Sequence, residues 1–512
     1  MSGYTHNLFL SALRFVEKGL GAVFTDRFNP FYYLGSLAFY FFWIVAVSGI
    51  YLFIYFETSI AGAYQSVEVL TVEQWYFGGV MRSLHRYASD AMLLMMGLHL
   101  YKEWVTGRFR GARWFSWVSG VPLVWLLFAA GIGGYWLVWD ELAQYIAVLT
   151  AEWLDWLPIF SESMARNFLN NSWVSDRFFS LLVFLHIGIP LALLLGMWIH
   201  IQRISQPMTN PPKRLALGTL GTLLVLSVIH PAVSQPPANL DQSVTLINFD
   251  WFYLHLYPLL DLGSPEAMWL VTGLITFGLF LLPLLPNKKR NPAAVVDLEH
   301  CNGCGWCVAD CPYAAIRLRD RTDSLPHEEE AWVNSKLCVG CGICVGACST
   351  ATPFRKVGIV QPGVDLPGEW LEKLREEIYE KARASSDKSR IAVFGCQHSA
   401  QEKLPGNDAL MVLTLPCIAA LPPSFIDFIF SRNIADGVLL TGCRESDCFH
   451  RRGVQWTEER IAAQREPRLR DRVIRERIRL CWCGDSIGEL KDAVTAFADE
   501  LAQQTSEEAG TE

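Results

Sequence analysis

No cysteine occurs in the first 300 of the 512 residues; all fourteen lie beyond that point. The first part therefore holds neither disulfides nor thiolate-bound metal. Charge is also sparse. Asp, Glu, Lys and Arg make up 18% of the chain and the formal net charge is −8, a balance that argues against a nucleic-acid partner. No stretch reads as a cleavable signal peptide. Met1 to Arg27 reads instead as an amphipathic interfacial helix, with Leu8, Leu10, Leu13, Phe15, Val16 and Leu20 as its apolar side. Nothing marks an activated nucleophile, a hydride site or the output domain of a sensor, so any substrate-level chemistry is expected to belong to a partner.

What the chain has in excess is apolar length. Hydrophobic residues make up 51% of it, its mean hydropathy is +0.23, and the apolar runs crowd into the first 285 residues. Six runs are long enough to span a bilayer: Tyr32–Phe56, Phe77–Tyr101, Phe115–Val138, Phe178–Gln202, Leu215–Val233 and Met268–Pro286. Basic residues fall in alternate connections. Arg14, Lys18 and Arg27 precede the first run, and Lys102, Arg108, Arg110 and Arg113 follow the second. Arg203, Lys213 and Arg214 follow the fourth, and Lys288, Lys289 and Arg290 follow the sixth. By the positive-inside rule these connections, the N-terminus and the cysteine-rich half are cytoplasmic, in a cell inner membrane.

The second run carries His85 and His99, and the fourth His186 and His200, each pair fourteen residues apart. At 1.5 Å per residue that spacing returns to one helix face about 21 Å further along. Intramembrane histidines are costly and usually functional. Both runs cross in the same direction, so His85 is expected to face His186 near the outer surface and His99 to face His200 near the inner one. Two cofactors held by axial imidazoles would fit. Gly35 and Gly49 on the first run, and Gly120 and Gly134 on the third, repeat the same spacing. A flat macrocycle between helices needs backbone free of side chains at its own depth. Ordinary packing glycines and buried, satisfied histidines are the competing reading.

This pattern resembles cytochrome b of the bc and bf complexes, over roughly residues 5–285. Arg82, three residues before His85, matches that family's haem-propionate arginine. Gly134-Tyr-Trp-Leu-Val-Trp139 and Asp176-Arg-Phe-Phe179 are similar to the end of its third helix and the start of its fourth. The resemblance implies two b haems, a quinone and a possible homodimer, with Lys102 as partner of the inner propionates. Where the family has Pro-Glu-Trp-Tyr, this chain has Phe249-Asp250-Trp251-Phe252-Tyr253. Asp250 is then a candidate proton acceptor in an outer quinone pocket, against the plainer reading of an aromatic belt with one solvated acid. An inner quinone site near His200 is equally open. The chain lacks the family's seventh and eighth helices and any Rieske-type Cys/His pairs, which puts quinol bifurcation in doubt.

After residue 286, Cys301-x2-Cys304-x2-Cys307-x3-Cys311 recurs as Cys338-x2-Cys341-x2-Cys344-x3-Cys348. This is the two-cluster bacterial ferredoxin run, in which each motif's fourth cysteine serves the other cluster. One [4Fe–4S] cluster is expected on Cys301, Cys304, Cys307 and Cys348, the other on Cys338, Cys341, Cys344 and Cys311. Zinc, which favours paired CxxC knuckles, is the weaker alternative. Ser349 stands where the second motif usually has proline. Residues 286–360 form this domain, and 361–390 read as a charged helical linker, with Trp370, Leu371, Leu374 and Ile378 on one side.

Residues 391–500 alternate strands and helices as a small α/β domain does. Cys396, Cys417 and Cys443 end three of the strands, at the edge where parallel sheets hold ligands, and Cys448 follows. Four such cysteines point to a [2Fe–2S] cluster. The stretch resembles the delta (iron–sulfur) subunit of methanogen-type hydrogenases, which in that family relays electrons to a heterodisulfide-reductase flavoprotein. Cys481-Trp-Cys483 adds two cysteines where that family has none, as an alternative ligand set or a redox pair. His398 and His450 are expected in the outer shell or in solvent, and residues 501–512 as a disordered tail.

The expected chain is multi-domain: an all-α transmembrane bundle of six helices (1–285), an α+β ferredoxin-like two-cluster domain, and a small α/β domain. It reads as a membrane electron-transfer subunit between a cytoplasmic dehydrogenase or heterodisulfide-reductase-like flavoprotein and membrane quinone. Its carriers would be one [2Fe–2S], two [4Fe–4S] and two b haems. The alternative is a membrane anchor and docking adaptor that relays electrons without its own quinone site.

Overall fold

The computed structural model describes residues 3–158, 163–168, 174–202, 207–242, 244, 247–285, 291–354, 358–384, 391–406 and 409–510. The chain divides into two compact units, one of residues 1–203 and 207–286, the other of 204–206 and 287–512.

The first unit is helical: α1 (Gly3–Phe28), α2 (Leu34–Tyr55), α3 (Ile60–Glu68), α4 (Val80–Val105), α5 (Trp114–Val138), α6 (Glu141–Asp155), α7 (Asp176–Gln202), α8 (Lys213–Ile229), α9 (Tyr257–Leu262) and α10 (Pro265–Leu281). Among the described residues, α2, α5, α7 and the stretch Pro265–Leu284 are long and apolar enough to cross a membrane. α4 and α8 coincide with the other two expected runs, but α4 carries Arg82, Arg86, Asp90, Lys102 and Glu103, and α8 has 17 residues. α2 lies along α4, and α5 along α7. Their facing sides bury Leu37, Phe41, Ala88, Met92, Leu127 and Phe179, while Val47, Ile50, Phe184 and Leu191 face outward. Backbone polar groups have no alternative partners in hydrocarbon, so the helix is the form such runs must take.

The connections hold more structure than their sequences announce. α6 lies in the long link expected as a loop. Asp140 caps it by accepting from the Ala143 amide at 2.9 Å, and Leu142, Ile146, Ala147 and Ala151 are buried. Its apolar face is too short to read as a span and serves packing instead.

The second unit begins with β1 (Val295–Val296), α11 (Trp306–Ala309), β2 (Ile316–Asp320), β3 (Glu329–Val333), α12 (Ile343–Gly346) and β4 (Val364–Asp365). β2 and β3 form an antiparallel hairpin, and β4 returns to pair antiparallel with β1. α11 and α12 each start from a glycine at positive φ, Gly305 at 76° and Gly342 at 74°, a conformation that excludes most side chains.

α13 (Trp370–Ala384) corrects the expected linker over 361–390. Leu371, Leu374 and Ile378 are buried in one core with Phe394, Leu413 and Phe428, so the segment is packed structure as far as residue 384. Residues 385–390 lie outside the described ones.

Four parallel strands follow, β5 (Ile391–Cys396), β6 (Leu410–Leu415), β7 (Gly437–Thr441) and β8 (Ile478–Cys481), in the order β6-β5-β7-β8. Period-two alternation gives the sheet two apolar faces. Ala392, Phe394, Val438 and Leu440 meet α13 and α14 (Pro423–Ser431). Ile391, Val393 and Leu439 meet α16 (Ile487–Gly510) through Leu490, Val494 and Phe497. α15 (Gly453–Ile461) completes the set. The tail expected to be disordered from residue 501 instead continues α16 to Gly510, because its Ala, Gln and Glu residues extend a helix already anchored by Leu501.

Replacing Leu371 by Ala removes a fully buried side chain, and the second unit should lose about 2–5 kcal/mol of stability. Urea unfolding of the detergent-solubilised chain measures this. An unchanged midpoint would mean that α13 is not part of the core.

Candidate functional site

α4 and α7 bring the four expected histidines together in pairs. The His85 and His186 rings lie 6.3 Å apart, centroid to centroid. His85 Nδ1 meets the Val45 carbonyl at 2.9 Å and Ser48 Oγ at 3.2 Å, and His186 Nδ1 meets the Ala130 carbonyl at 3.0 Å. A carbonyl only accepts, so in both rings Nδ1 carries the proton and Nε2 presents its lone pair. That is the tautomer and orientation of a metal-ligating imidazole with a backbone partner behind it. His200 Nδ1 meets Ser119 Oγ at 3.1 Å, and His200 lies within electrostatic range of His99.

The four expected glycines each face one of these rings. A Cβ on Gly49 would stand 2.9 Å from His85 Cε1, on Gly134 3.0 Å from His186 Cε1, on Gly120 3.2 Å from His200 Cε1, and on Gly35 3.4 Å from His99 Cε1. The glycines therefore let an imidazole edge approach the neighbouring helix backbone. This contact arises because α2 lies against α4 and α5 against α7. The residues present fit two bis-imidazole haem sites.

The charged candidates have protein partners. Arg82 is hydrogen-bonded to Glu68, Thr71 and Ser234. Lys102 is buried, 3.0 Å from the Glu17 carboxylate and 2.9 Å from the Phe31 carbonyl, with its ammonium over the Tyr32 ring. Asp250 is buried and pairs with Arg86 at 2.5 Å, while its other oxygen accepts from the Phe252 amide at 2.7 Å. Arg86 also reaches Asp90 at 3.2 Å and Tyr135, and the neighbouring Tyr253 hydroxyl lies 2.7 Å from Ser89 Oγ. Sequence reasoning missed Arg86 and Asp90, although two charges four residues apart within an apolar run were the available signal.

In the second unit, Cys301, Cys304, Cys307 and Cys348 line one cavity, and Cys311, Cys338, Cys341 and Cys344 line another. These are the two crossed sets that the repeat spacing predicts. Burial, then the neighbouring Cys348, Cys304 and Cys301, push the Cys307 thiol up to about 12; burial does the same for Cys341. Crowded, buried sulfurs of this kind become thiolates when a cation neutralises them, which is what iron supplies. Backbone amides already point at sulfur: Ala315 to Cys311 at 3.2 Å and Ala294 to Cys338 at 3.5 Å. Ser349, in place of proline, bridges Asn302 at 3.1 Å and Cys304 Sγ at 3.5 Å.

The sheet's C-terminal edge gathers the remaining set. Cys443 is hydrogen-bonded to Cys396 and Cys448, and its bond to Cys396 leads the causes that push it up to about 12. A Cβ on Gly453 would lie 2.5 Å from Cys417 Sγ and 3.5 Å from Cys448 Sγ, so glycine is required beside these sulfurs. The His398 and Phe449 amides point at Cys396 and Cys443, both at 3.5 Å. His450 is buried with Nδ1 2.7 Å from the Tyr313 hydroxyl, rather than solvated, and His398 stacks on Phe449. Cys417 packs in one cluster with Ile343, Ala419 and Trp456, and Cys341 borders it. The four-cysteine edge and the second ferredoxin set are thus near neighbours.

Comparison with known proteins agrees with this division. The family "Cytochrome b/b6/petB" matches residues 21–208, "4Fe-4S dicluster domain" matches 300–352, and "Methyl-viologen-reducing hydrogenase, delta subunit" matches 389–504. Cytochrome b6 of Porphyra purpurea is 31% identical over 188 residues, 36% of this chain and 86% of that one. Cytochrome b6 of Heliobacterium modesticaldum is 31% identical over 186 residues, 35% of this chain and 87% of that one. Among solved structures, a chain of a "Hyperthermophilic respiratory Complex III" is 21% identical, with a TM-score of 0.42 over 50% of this chain and 76% of that one. The chain belongs to the cytochrome b/b6 family, as an integral membrane electron-transfer protein of the cytochrome b type that also carries iron–sulfur domains.

Proposed function

We propose that the chain is the membrane subunit of a quinone-linked oxidoreductase, taking electrons from or delivering them to a cytoplasmic flavoprotein or dehydrogenase of the heterodisulfide-reductase kind. One observation carries the reading: the paired histidines on α4 and α7 whose Nδ1 atoms rest on backbone carbonyls, leaving Nε2 to a metal. His85 and His186 would hold an outer b haem, and His99 and His200 an inner one, in a bundle of six spans over residues 1–285. Cys301, Cys304, Cys307 and Cys348 would hold one [4Fe–4S] cluster, and Cys338, Cys341, Cys344 and Cys311 a second, in a domain over 286–360. Cys396, Cys417, Cys443 and Cys448 would hold a [2Fe–2S] cluster in a domain over 391–500. Bound there, these groups supply one-electron carriers, and the quinone supplies a two-electron, two-proton terminus.

The chain's own residues do the rest. Four glycines bring the imidazoles against helix backbone, and the Val45 and Ala130 carbonyls fix the tautomers of His85 and His186. Asp250 is the candidate proton acceptor for quinol at the outer surface. Arg86 holds it in place, and Arg86 also reaches Asp90. The basic connections support an inner-membrane location with both termini cytoplasmic.

Gly49→Val should force the His85 ring aside, and the reduced-minus-oxidised b-haem absorbance should fall by about half, one of two haems having lost a ligand. Full haem content in that variant would sink the outer-haem assignment.

With short-chain quinol added to the oxidised protein, b-haem absorbance should rise rapidly. Asp250→Asn should slow that rise by about a hundredfold or more. An unchanged rate would move the quinone away from the outer surface. Haems reduced only by a soluble low-potential donor, and not reoxidised by quinone, would favour the docking adaptor instead.

A further inference from the structure

Cys481 and Cys483 stand apart from the three cysteine sets above. Cys481 is the last residue of β8, the edge strand of the sheet, and is partly exposed; Cys483 is buried. Cys483 follows two residues past the end of β8, and both side chains pack on the cluster of Leu490, Val494 and Phe497, within hydrogen-bonding reach of each other. Thr441 pairs with Cys481 in the β7–β8 register, and its hydroxyl lies 3.4 Å from Cys483 Sγ. Ser399 lies 3.0 Å from the far side of that hydroxyl. The intervening Trp482 is fixed: its indole donates to Glu458 at 2.6 Å, and its ring lies where a Cβ on Gly442 would come within 3.2 Å. The strand end is thereby held, with Cys481 toward the open edge and Cys483 behind it.

We propose that Cys481 and Cys483 form a thiol–disulfide exchange site that reacts with a low-molecular-weight disulfide, separate from the iron–sulfur ligands. The two thiols differ in access and acidity: the more exposed Cys481 meets the disulfide first, and the more acidic, buried Cys483 resolves. Hydrogen bonds from the Cys481 thiol and then the Thr441 hydroxyl hold Cys483 down at about 7 against its burial, whereas Cys481, donating to Cys483, is pushed up.

Chemically, the Cys481 thiol gives its proton to solvent as its sulfur attacks the disulfide R–S–S–R. The S–S bond breaks, RS⁻ leaves, and a mixed disulfide Cys481–S–S–R forms. The Cys483 thiolate then attacks the Cys481 sulfur, expelling the second RS⁻. Two protein thiols have become one disulfide, and one small disulfide has become two thiols. Reduction by an external dithiol runs the sequence backwards.

The test uses the full-length protein in detergent, equilibrated across a series of glutathione and glutathione disulfide, alkylated, and read by peptide mass spectrometry. Cys481 and Cys483 should become protected together, with a two-electron dependence on potential. Cys483→Ser should accumulate a glutathione adduct on Cys481, and Cys481→Ser should form none at Cys483. The electron paramagnetic resonance signal of the reduced [2Fe–2S] cluster should persist in both variants. Wild-type residues that stay alkylatable across the whole series would overturn the proposal, and this arm needs no variant to fold. Loss of the [2Fe–2S] signal in either otherwise intact variant would also overturn it, by making these cysteines ligands. Loss of that signal only on changing Cys396, Cys417, Cys443 or Cys448 would leave both readings standing.

Discussion

The close approach of an imidazole edge to a glycine backbone is the constraint on which the membrane unit depends. A helix repeats its face every 3.6 residues, so a side chain fourteen positions on lies about 21 Å further along nearly the same stripe. Once α4 presents His85 and His99 in this way, the helix beside it can present only glycine at the two matching depths. Gly49 and Gly35 do so on α2, and Gly134 and Gly120 repeat the arrangement for α7 from α5. On the outward faces, as at Val47, Ile50, Phe184 and Leu191, a change of apolar side chain leaves this contact untouched. At Gly49, Gly134 and Gly120 the first carbon of any side chain would crowd an imidazole ring, and at Gly35 it would touch one.

The second unit depends on a buried ion pair. Arg460 is 1% exposed and Asp310 2%, with 2.5 Å between them. Such a pair needs most of its remaining donors and acceptors used as well, and of this pair's side-chain atoms Arg460 Nε alone has no hydrogen-bond partner among the described residues. Here Arg460 also donates to the Ala419 carbonyl at 2.8 Å, and Arg465 takes the other Asp310 oxygen at 2.6 Å. Asp310 immediately precedes Cys311, and Ala419 lies two residues after Cys417. The clamp therefore holds one cysteine set at a fixed distance from another, something the soft apolar contacts around Ile343 and Trp456 would do less sharply.

Periodicity made much of this legible. Fourteen-residue spacing and the doubled CxxCxxCxxxC run are local patterns whose geometry follows from one element each, and strand-end cysteines follow from alternating β and α runs. What stayed unread depended on partners distant in sequence. α6 carries a capping aspartate and apolar residues at helical spacing, but its apolar face is too short to read as a span. β8 mixes Arg479 with Ile478 and Leu480 and becomes a strand because β7 offers it an edge. The segment around α13 looked like a charged connector because Lys, Arg and Glu dominate it, yet three apolar residues on one side were enough to bury it. Arg86 sits beside a histidine and four residues before Asp90, and only the fold brings Asp250 to it.

The same dependence on distant partners changes how Arg82 and Lys102 are read. The resemblance to cytochrome b implies that each meets a haem propionate, three residues from a histidine. In the fold, Lys102 is almost wholly buried with Glu17, Phe31 and Tyr32, so its charge is already balanced and its ammonium already hydrogen-bonded. A propionate would have to displace Glu17 and strand a second carboxylate in a dry site, which costs more than the exchange returns. Lys102 is better understood as the tie between α1 and α4. Arg82, whose guanidinium is shared among Glu68, Thr71 and Ser234, keeps more donors than these partners use, and a planar fork can serve an added carboxylate without releasing the others. Of the two cations, Arg82 is therefore the one whose geometry still admits a propionate.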